Sequence, residues 1–223
     1  NFNKKDSNIE IIGDEIDSDF VKDSIKNGKI GNSNRENYKV VFTALHGTSY
    51  KLLPEVLIGA GFKDFNVVEE QHNPDGNFST VQSPNPEEPE ALSLGIKLAK
   101  KINADIVIGT DPDADRVGIA IPDKSGEFIL LNGNQTGSLL INYLVTKWKE
   151  LGKISGKEFI AKTVVTTDLM DKIALNKYLC NTNCMSEDTV CITKLICSTL
   201  NRILLSDVIY VVFHCGRLDG APP

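Results

Sequence analysis

A short apolar run at residues 106–109 leads directly into an acidic loop of sequence DPDADR, and this junction narrows the possible folds and chemistries. Asp111, Asp113 and Asp115 alternate along the loop, and Arg116 follows them. Because alternate residues of an extended segment turn to one side, three carboxylates are expected to converge. Such a cluster is typical of a Mg²⁺ site beside a phosphate, and Arg116 offers that phosphate a fork of donors. The spacing predicts phosphoryl-transfer chemistry.

Three other interpretations of the acidic loop are less favoured. A solvated turn is one, since Asp and Pro are turn residues. An EF-hand loop needs Gly at its sixth position and Glu at its twelfth, where this chain has Arg116 and Pro122. A haloacid-dehalogenase-like phosphatase would carry its two aspartates on the first strand with a Thr after them, whereas Arg and Val follow here.

The whole chain predicts an α/β fold. Apolar runs alternate with helical patterns, which favours a sandwich with a mainly parallel sheet. Such sheets bind ligands at the carboxyl ends of their strands, so His46 and Asp111, which both follow strands, are expected to face one cleft. The predicted strands are approximately 40–44, 65–68, 105–109, 117–121, 127–131 and 159–165, and the predicted helices are approximately 9–26, 53–59, 86–102, 135–149 and 168–177, with a linker over 27–37.

Local side-chain patterns predict where these helices begin and end. Thr48 or Ser49 is expected to cap the helix after the first strand, and Gly61 to end it. Asn85, followed by Pro and then Glu, predicts the start of the next helix. Thr167 is expected to cap the last one.

Composition excludes several classes of protein. The chain has 223 residues, 41% of them hydrophobic, and a net charge of −6. This charge argues against nucleic acid or an anionic membrane as a partner, and no apolar run approaches the length of a membrane span. Residues 1–7 carry no secretory apolar core. Because the chain begins with Asn, we expect that it does not start at a natural first residue.

The cysteines are confined to one end of the chain. The first 179 residues contain none, which is typical of a cytoplasmic enzyme. The odd count argues against a closed set of disulfides, and the spacings match no zinc pattern. The five are Cys180, Cys184, Cys191, Cys197 and Cys215.

Several stretches together resemble the α-D-phosphohexomutase family of phosphoglucomutases and phosphomannomutases. The opening of the family's second domain is similar to 42–49 (FTALHGTS), and two Pro-rich runs of that domain are similar to 74–78 (PDGNF) and 83–91 (SPNPEEPEA). Its metal loop is similar to 109–116 (GTDPDADR), and the start of its third domain is similar to 133–137 and 162–167.

The resemblance implies a domain organisation. Residues 1–37 would be the end of a preceding domain and a linker, and 38–125 would be domain II with the metal loop. Residues 126–178 would be an incomplete domain III, and 179–223 a Cys-rich tail that matches nothing in the family. The implied fold is a three-layer α/β sandwich with a mainly parallel mixed sheet, followed by a truncated second α/β domain.

The resemblance also implies a reaction. Members interconvert glucose 1-phosphate and glucose 6-phosphate through a phosphoserine and glucose 1,6-bisphosphate. Asp111, Asp113 and Asp115 would hold Mg²⁺, and Asp115 and Arg116 would contact substrate or serine phosphate. The chain would then be a cytoplasmic isomerase with sugar phosphates as its partners.

Parts of the family pattern are missing from these residues. The nucleophilic serine of the family lies in an S-H-N-P motif of its first domain, and no such motif is present here. The similar QHNP run at 71–74 has Gln71 in place of Ser and lies in the second domain, so no catalytic nucleophile is assigned, and neither His72 nor Ser83 is expected to act. The sugar-binding loop of the third domain is also missing. A frameshift, a retained intron or a faulty gene model would produce the break near residue 178. We therefore expect these residues alone to be inactive. The alternative is a non-catalytic metal-binding or interaction remnant.

The motif His46-Gly47-Thr48 allows two interpretations. Its amides can face a phosphate at a helix N-terminus, or His46 can tie down its loop. The structural interpretation is favoured for His46, because the sequence supplies no partner that would activate it.

Overall fold

The computed structural model describes residues 12–28, 30, 33–154, 158–161 and 166–177, and three short strands between 204 and 214. The helices are α1 (Asp14–Gly28), α2 (Leu52–Ala60), α3 (Ser93–Ile102), α4 (Gly133–Glu150) and α5 (Leu169–Lys177). The strands are β1 (Lys39–Thr43), β2 (Asp64–Val67), β3 (Ile106–Thr110), β4 (Val117–Pro122), β5 (Phe128–Leu131), β6 (Glu158–Ala161), β7 (Leu204–Leu205), β8 (Val208–Ile209) and β9 (Val211–His214). Three 3₁₀ turns cover Arg35–Asn37, Thr48–Tyr50 and Glu69–Gln71.

Five strands form one mixed sheet in the order β2-β1-β3-β4-β5. The first three are parallel, with Val40 opposite both Phe65 and Ile106. Strand β4 runs antiparallel to β3, and β5 antiparallel to β4. The predicted mainly parallel mixed sheet is confirmed. The predicted domain boundary at 125/126 falls in the turn between β4 and β5, whose strands share this sheet.

Helices cover both faces of the sheet, because successive side chains of a strand point to opposite sides. Val41 and Val107 belong to a buried cluster with Ala99 of α3. Val40 and Ile106 point the other way and line a 570 Å³ cleft that α1 and α2 also border. This arrangement gives the three layers that were predicted.

A second, smaller cluster involves α4 and α5. Ile141 and Val145 of α4 are buried against Met170 of α5, and Ile160 of β6 packs on them. Strand β6 pairs antiparallel with β9, and β7 pairs with β8. Three short segments of the predicted tail are therefore strands, whereas its five cysteines lie outside the described residues.

One predicted helix start and one predicted helix cap are wrong. Helix α3 begins at Ser93, because residues 86–92 form successive turns. The Asn85 side chain closes one of these turns by accepting the backbone N–H of Glu87 at 3.2 Å. Thr48 and Ser49 do not cap α2, since they lie in a 3₁₀ turn before it and bond elsewhere.

Other helix ends agree with prediction. Gly61 ends α2 in the left-handed conformation, with φ of 109°. The Thr167 hydroxyl accepts the backbone N–H of Leu169 at 3.3 Å. Helix α4 starts at Gly133, two residues before the predicted start, with a reciprocal capping box between Asn132 and Gln135. Among the described residues, no helix has the length and apolar character that a membrane crossing requires.

Candidate metal centre

The acidic loop is the hairpin connection between β3 and β4. Thr110 and Val117 form the last strand pair, and residues 111–116 bridge them. The backbone N–H of Ala114 returns to the Asp111 carbonyl at 3.0 Å, and Ala114 has φ of 60°. A non-glycine residue in this region is costly and occurs often at functional sites. The turn folds the loop back over its first aspartate.

The three aspartates lie together at the end of this hairpin. Each offers one carboxylate oxygen, and these oxygens all lie within 4.8 Å of one another. Asp111 is only 7% exposed, whereas Asp113 and Asp115 are exposed. An all-oxygen, all-anionic donor set fits a hard divalent cation such as Mg²⁺. The expected convergence is present, and metal binding by these residues stays a prediction.

The electrostatics of Asp111 also fit a cation. Its pKa is raised to about 6, first by burial and then by the neighbouring Asp115 and Asp113 carboxyls. One hydrogen bond opposes this rise: the backbone N–H of Arg116 donates to Asp111 Oδ1 at 2.9 Å. The negative charge of Asp111 is therefore unfavourable at the buried end of the cluster, where a divalent ion would neutralise it.

Arg116 provides positive charge beside the cluster. Its Nε lies 3.8 Å from Asp111 Oδ2 and 3.8 Å from Asp115 Oδ1. The Arg116 side chain is 41% exposed, so these ion pairs are loose and screened by solvent. The guanidinium can therefore contact a phosphate that approaches the cluster from solvent.

The loop after β1 meets the acidic loop. The backbone N–H of Thr48 donates to the Pro112 carbonyl at 2.8 Å, and the Ser49 and Thr110 hydroxyls bond at 2.6 Å. The connections from β1 and β3 leave in opposite directions across the sheet. Such a switch point is the usual binding position in α/β sheets. The loops that follow β1 and β3 therefore lie against each other, through contacts that sequence reasoning missed. The expectation that His46 and Asp111 face one cleft is not met for His46, whose ring contacts Asn73 and Thr80.

The His46 ring is turned into the protein. Its Nδ1 lies 3.2 Å from the Asn73 carbonyl oxygen and its Nε2 lies 2.8 Å from Thr80 Oγ1. His46 is 7% exposed. The favoured structural interpretation is confirmed, and its partners come from a loop about 30 residues away that sequence spacing could not identify.

Gln71 is a core residue. Its Oε1 accepts the Thr43 hydroxyl at 2.8 Å, and its Nε2 donates to Thr80 Oγ1 at 3.1 Å. His72 packs edge-on against Tyr50, with ring centroids 5.7 Å apart. Ser83 donates to Glu88 at 3.1 Å. The three residues at or near the altered serine motif thus have structural contacts.

The cleft between the helices and the sheet is separate from the acidic loop. Its lining includes Val40, Leu57, Ile106 and Tyr143 but none of the three aspartates. The three aspartates therefore lie outside this cleft, in the loop that follows the carboxyl end of β3.

Comparison with known proteins agrees with this geometry. Residues 18–126 match the family model described as phosphoglucomutase/phosphomannomutase, alpha/beta/alpha domain II. The phosphoglucomutase of Staphylococcus aureus strain USA300 is 42% identical over 159 residues, which are 71% of this chain and 28% of that protein. The same figures hold for the phosphoglucomutase of strain N315.

One solved structure supports the fold. The putative phosphomannomutase of Thermus thermophilus gives a TM-score of 0.52 at 17% identity, covering 74% of this chain and 35% of that one. The chain spans about 28% of the length of the S. aureus relatives. On the family model, the 42% identity and the shared fold, the chain belongs to the phosphoglucomutase/phosphomannomutase family and carries its domain II.

Proposed function

We propose that this chain is part of a phosphoglucomutase-type phosphohexomutase. The reaction would convert glucose 1-phosphate into glucose 6-phosphate through a phosphoserine and glucose 1,6-bisphosphate. The observation that carries the proposal is the convergence of three aspartate carboxylates beside Arg116 at the open end of a domain II sheet. The sugar phosphates named here follow from the S. aureus relatives, which are phosphoglucomutases.

Each residue of the acidic loop has a role in this proposal. Asp111, Asp113 and Asp115 would hold Mg²⁺, with buried Asp111 as the inner ligand. When bound, the ion supplies charge neutralisation and polarisation of a phosphoryl oxygen. Arg116 would bind and orient the phosphate through charge-assisted hydrogen bonds. Asp115 is exposed beside Arg116, and its carboxylate would restrict the orientations that the Arg116 guanidinium can adopt.

We further propose that the 223 residues alone do not turn over and that the protein acts in the cytoplasm. These residues contain no S-H-N-P motif, and the similar QHNP run begins with Gln71, which is bonded within the core and offers no nucleophile. The cysteine-free first 179 residues support the location. The alternative, a metal-binding or interaction remnant without catalysis, rests on the same aspartates and the same Gln71.

Titration calorimetry with Mg²⁺ tests the metal centre. The chain should bind one ion weakly, and Asp113→Ala should abolish binding. Asp19→Ala is the matched control, because Asp19 is an exposed carboxylate of α1 paired only with Lys22 at 3.1 Å in the described structure. Equal binding by wild type and Asp113→Ala would contradict the assigned ligands.

An activity assay tests the proposal that these residues alone do not catalyse the reaction. A coupled assay on glucose 1-phosphate, with glucose 1,6-bisphosphate and Mg²⁺ present, should give only background for the 223 residues. Turnover that is lost in Asp115→Ala would show that these residues contain their own phosphoryl acceptor, and would rule out the non-catalytic alternative.

A further inference from the structure

We propose that the β1 loop, residues 45–49, is a positioning device that sets the backbone of the acidic loop for cation binding, and that Gly47 and Thr48 are its essential positioning residues. This inference rests on the proposed metal site. It assigns a role in ion affinity to residues that touch no ion ligand through their own side chains.

The first observation is the contact at Pro112, which lies between two of the proposed ligands. The backbone N–H of Thr48 donates to the Pro112 carbonyl at 2.8 Å, and the Thr48 hydroxyl donates to the same oxygen at 3.1 Å. Two donors on one carbonyl fix the plane of the peptide group that joins Pro112 to Asp113. Thr48, which lies outside the acidic loop, therefore sets the direction in which the chain continues from Pro112 to Asp113.

The second observation is the close approach of Gly47 to the same residue. An added Cβ would overlap the Pro112 backbone, at 2.6 Å from its carbonyl oxygen and 2.8 Å from its carbonyl carbon. Gly47 has φ of −97° and ψ of −172°, a conformation that any residue adopts. Glycine is required here only because the two backbones touch, and contact with rigid backbone cannot be relieved by a side-chain rotation.

The third observation is the hydroxyl pair on the other side of Asp111. Ser49 is 8% exposed and Thr110 is 7% exposed, and their oxygens are 2.6 Å apart. The β1 loop thus holds the residue before Asp111 as well as the residue after it. Asp111 is fixed between two points of one neighbouring loop.

The fourth observation is that the β1 loop is itself rigidly held in a strained conformation. Leu45 and His46 have φ of 45° and 63°. The backbone N–H of His46 donates to the Gln71 carbonyl at 3.0 Å, and the His46 ring is bonded to Thr80 and Asn73. Strain of this kind persists only where surrounding bonds impose it, so a rigid support lies directly against the acidic loop.

Mn²⁺ affinity, measured by electron paramagnetic resonance on the full chain, is the first test. Gly47→Ala should weaken Mn²⁺ binding at least about tenfold, since misplaced ligands lose much of the ion's shell. Gly76→Ala is the matched control, because Gly76 is a loop glycine whose added Cβ would meet nothing within 4 Å. Its affinity should equal that of wild type.

A hydrogen-bond pair of variants avoids the steric change. Thr48→Val keeps the backbone donor but loses the hydroxyl, and should weaken Mn²⁺ binding about fivefold, as a lost hydrogen bond predicts. Thr48→Ser keeps the hydroxyl and should restore affinity. Variants that lower the urea midpoint but bind Mn²⁺ as wild type does would reduce the loop to a purely structural role and overturn the proposal.

Hydrogen exchange of the ion-free chain separates this inference from the proposed metal site. Gly47→Ala should speed exchange of a peptide covering residues 110–117 at least about tenfold, with α3 unchanged. Unchanged exchange would overturn the positioning role even if Asp113→Ala abolishes Mn²⁺ binding. If Gly47→Ala exchanges faster but the wild-type chain never binds Mn²⁺, the metal site is rejected. The contact between the two loops then has only a structural role, and the positioning proposal is also overturned.

Discussion

Gly109 of β3 and Gly118 of β4 lie directly opposite each other in the sheet, and the side chains they lack leave a notch that Pro86 and Leu92 fill. A Cβ on Gly118 would lie 2.6 Å from the Pro86 carbonyl carbon, and one on Gly109 would lie 3.6 Å from Pro86 Cβ. The turns of residues 86–92 therefore cross the hairpin that carries the three aspartates.

Substitution in this notch should destabilise the domain. Gly118→Ala should cost about 2–3 kcal/mol of unfolding free energy, because the Pro86 backbone must move and cannot rotate away. Urea unfolding measures this cost. Gly76→Ala, with open space around its added Cβ, should differ from wild type by less than about 0.5 kcal/mol. A neutral Gly118→Ala would show that the crossing segment is not tightly packed.

Asp111→Asn should stabilise the ion-free chain at neutral pH. The pKa of Asp111 rises from a reference of 3.8 to about 6 on folding, chiefly through burial. The folded state therefore binds the proton more tightly, so this carboxyl favours folding below about pH 4 and loses that contribution as the pH rises to about 6. The neutral amide avoids the loss, and the gain should be on the order of 1–3 kcal/mol at pH 7.

The gain in stability from Asp111→Asn should vanish below about pH 4, where the Asp111 carboxyl of wild type and the amide of the variant are both neutral. Urea unfolding at about pH 3.5, 5 and 7 without divalent ions tests the whole profile. Asp19→Asn is the control, since its exposed carboxyl lies outside the cluster and should change stability by less than about 0.5 kcal/mol. An Asp111→Asn variant that is less stable than wild type at neutral pH would contradict the unfavourable charge of Asp111.

Asp75→Asn should be less stable than wild type at neutral pH. Asp75 accepts the Ser79 hydroxyl at 2.6 Å and the backbone N–H of Asn77 at 2.9 Å. These bonds, led by that from the Ser79 hydroxyl, lower the pKa of Asp75 to about 2. A lowered folded-state pKa contributes stability above the reference of 3.8, which is lost as the pH falls toward about 2.

The difference between Asp75→Asn and wild type should therefore be constant from about pH 5 to 7 and shrink below about pH 4. Thermal unfolding across this range measures it. A difference that stays constant down to about pH 3 would assign the effect to geometry and not to the charge of Asp75.

Asn132→Ala should destabilise α4 by about 1 kcal/mol, because it removes one half of the capping box. Asn132 Oδ1 accepts the backbone N–H of Gln135 at 2.9 Å, and Gln135 Oε1 accepts the backbone N–H of Asn132 at 2.9 Å. Asn132→Ser should retain most of the stability. Equal urea midpoints for Asn132→Ala and wild type would show that tertiary contacts alone start this helix.

Local patterns were sufficient for the order of helices and strands from α1 to α5, because each of these elements depends on neighbours in sequence. The strand before Asp111, the alternation of the three aspartates and the Gly61 helix end all follow from backbone periodicity and conformational preference. The family resemblance added the domain type, which the family model confirms, and the metal loop, whose ion binding stays a prediction. The confirmed predictions hold because each needs only a few consecutive residues.

Contacts between distant segments determined where two of the expected helix caps form their hydrogen bonds and where α3 begins. Asn85 has the sequence of a helix cap, but Pro86 lies in the Gly109–Gly118 notch and α3 starts seven residues later than predicted. Thr48 also has the sequence of a cap, but it bonds to Pro112 across 64 residues. A cap and a tertiary donor use the same hydroxyl, and only the folded chain shows which partner lies within reach. The support of the acidic loop thus depended on tertiary packing, whereas the three aspartates themselves were visible in a few consecutive residues.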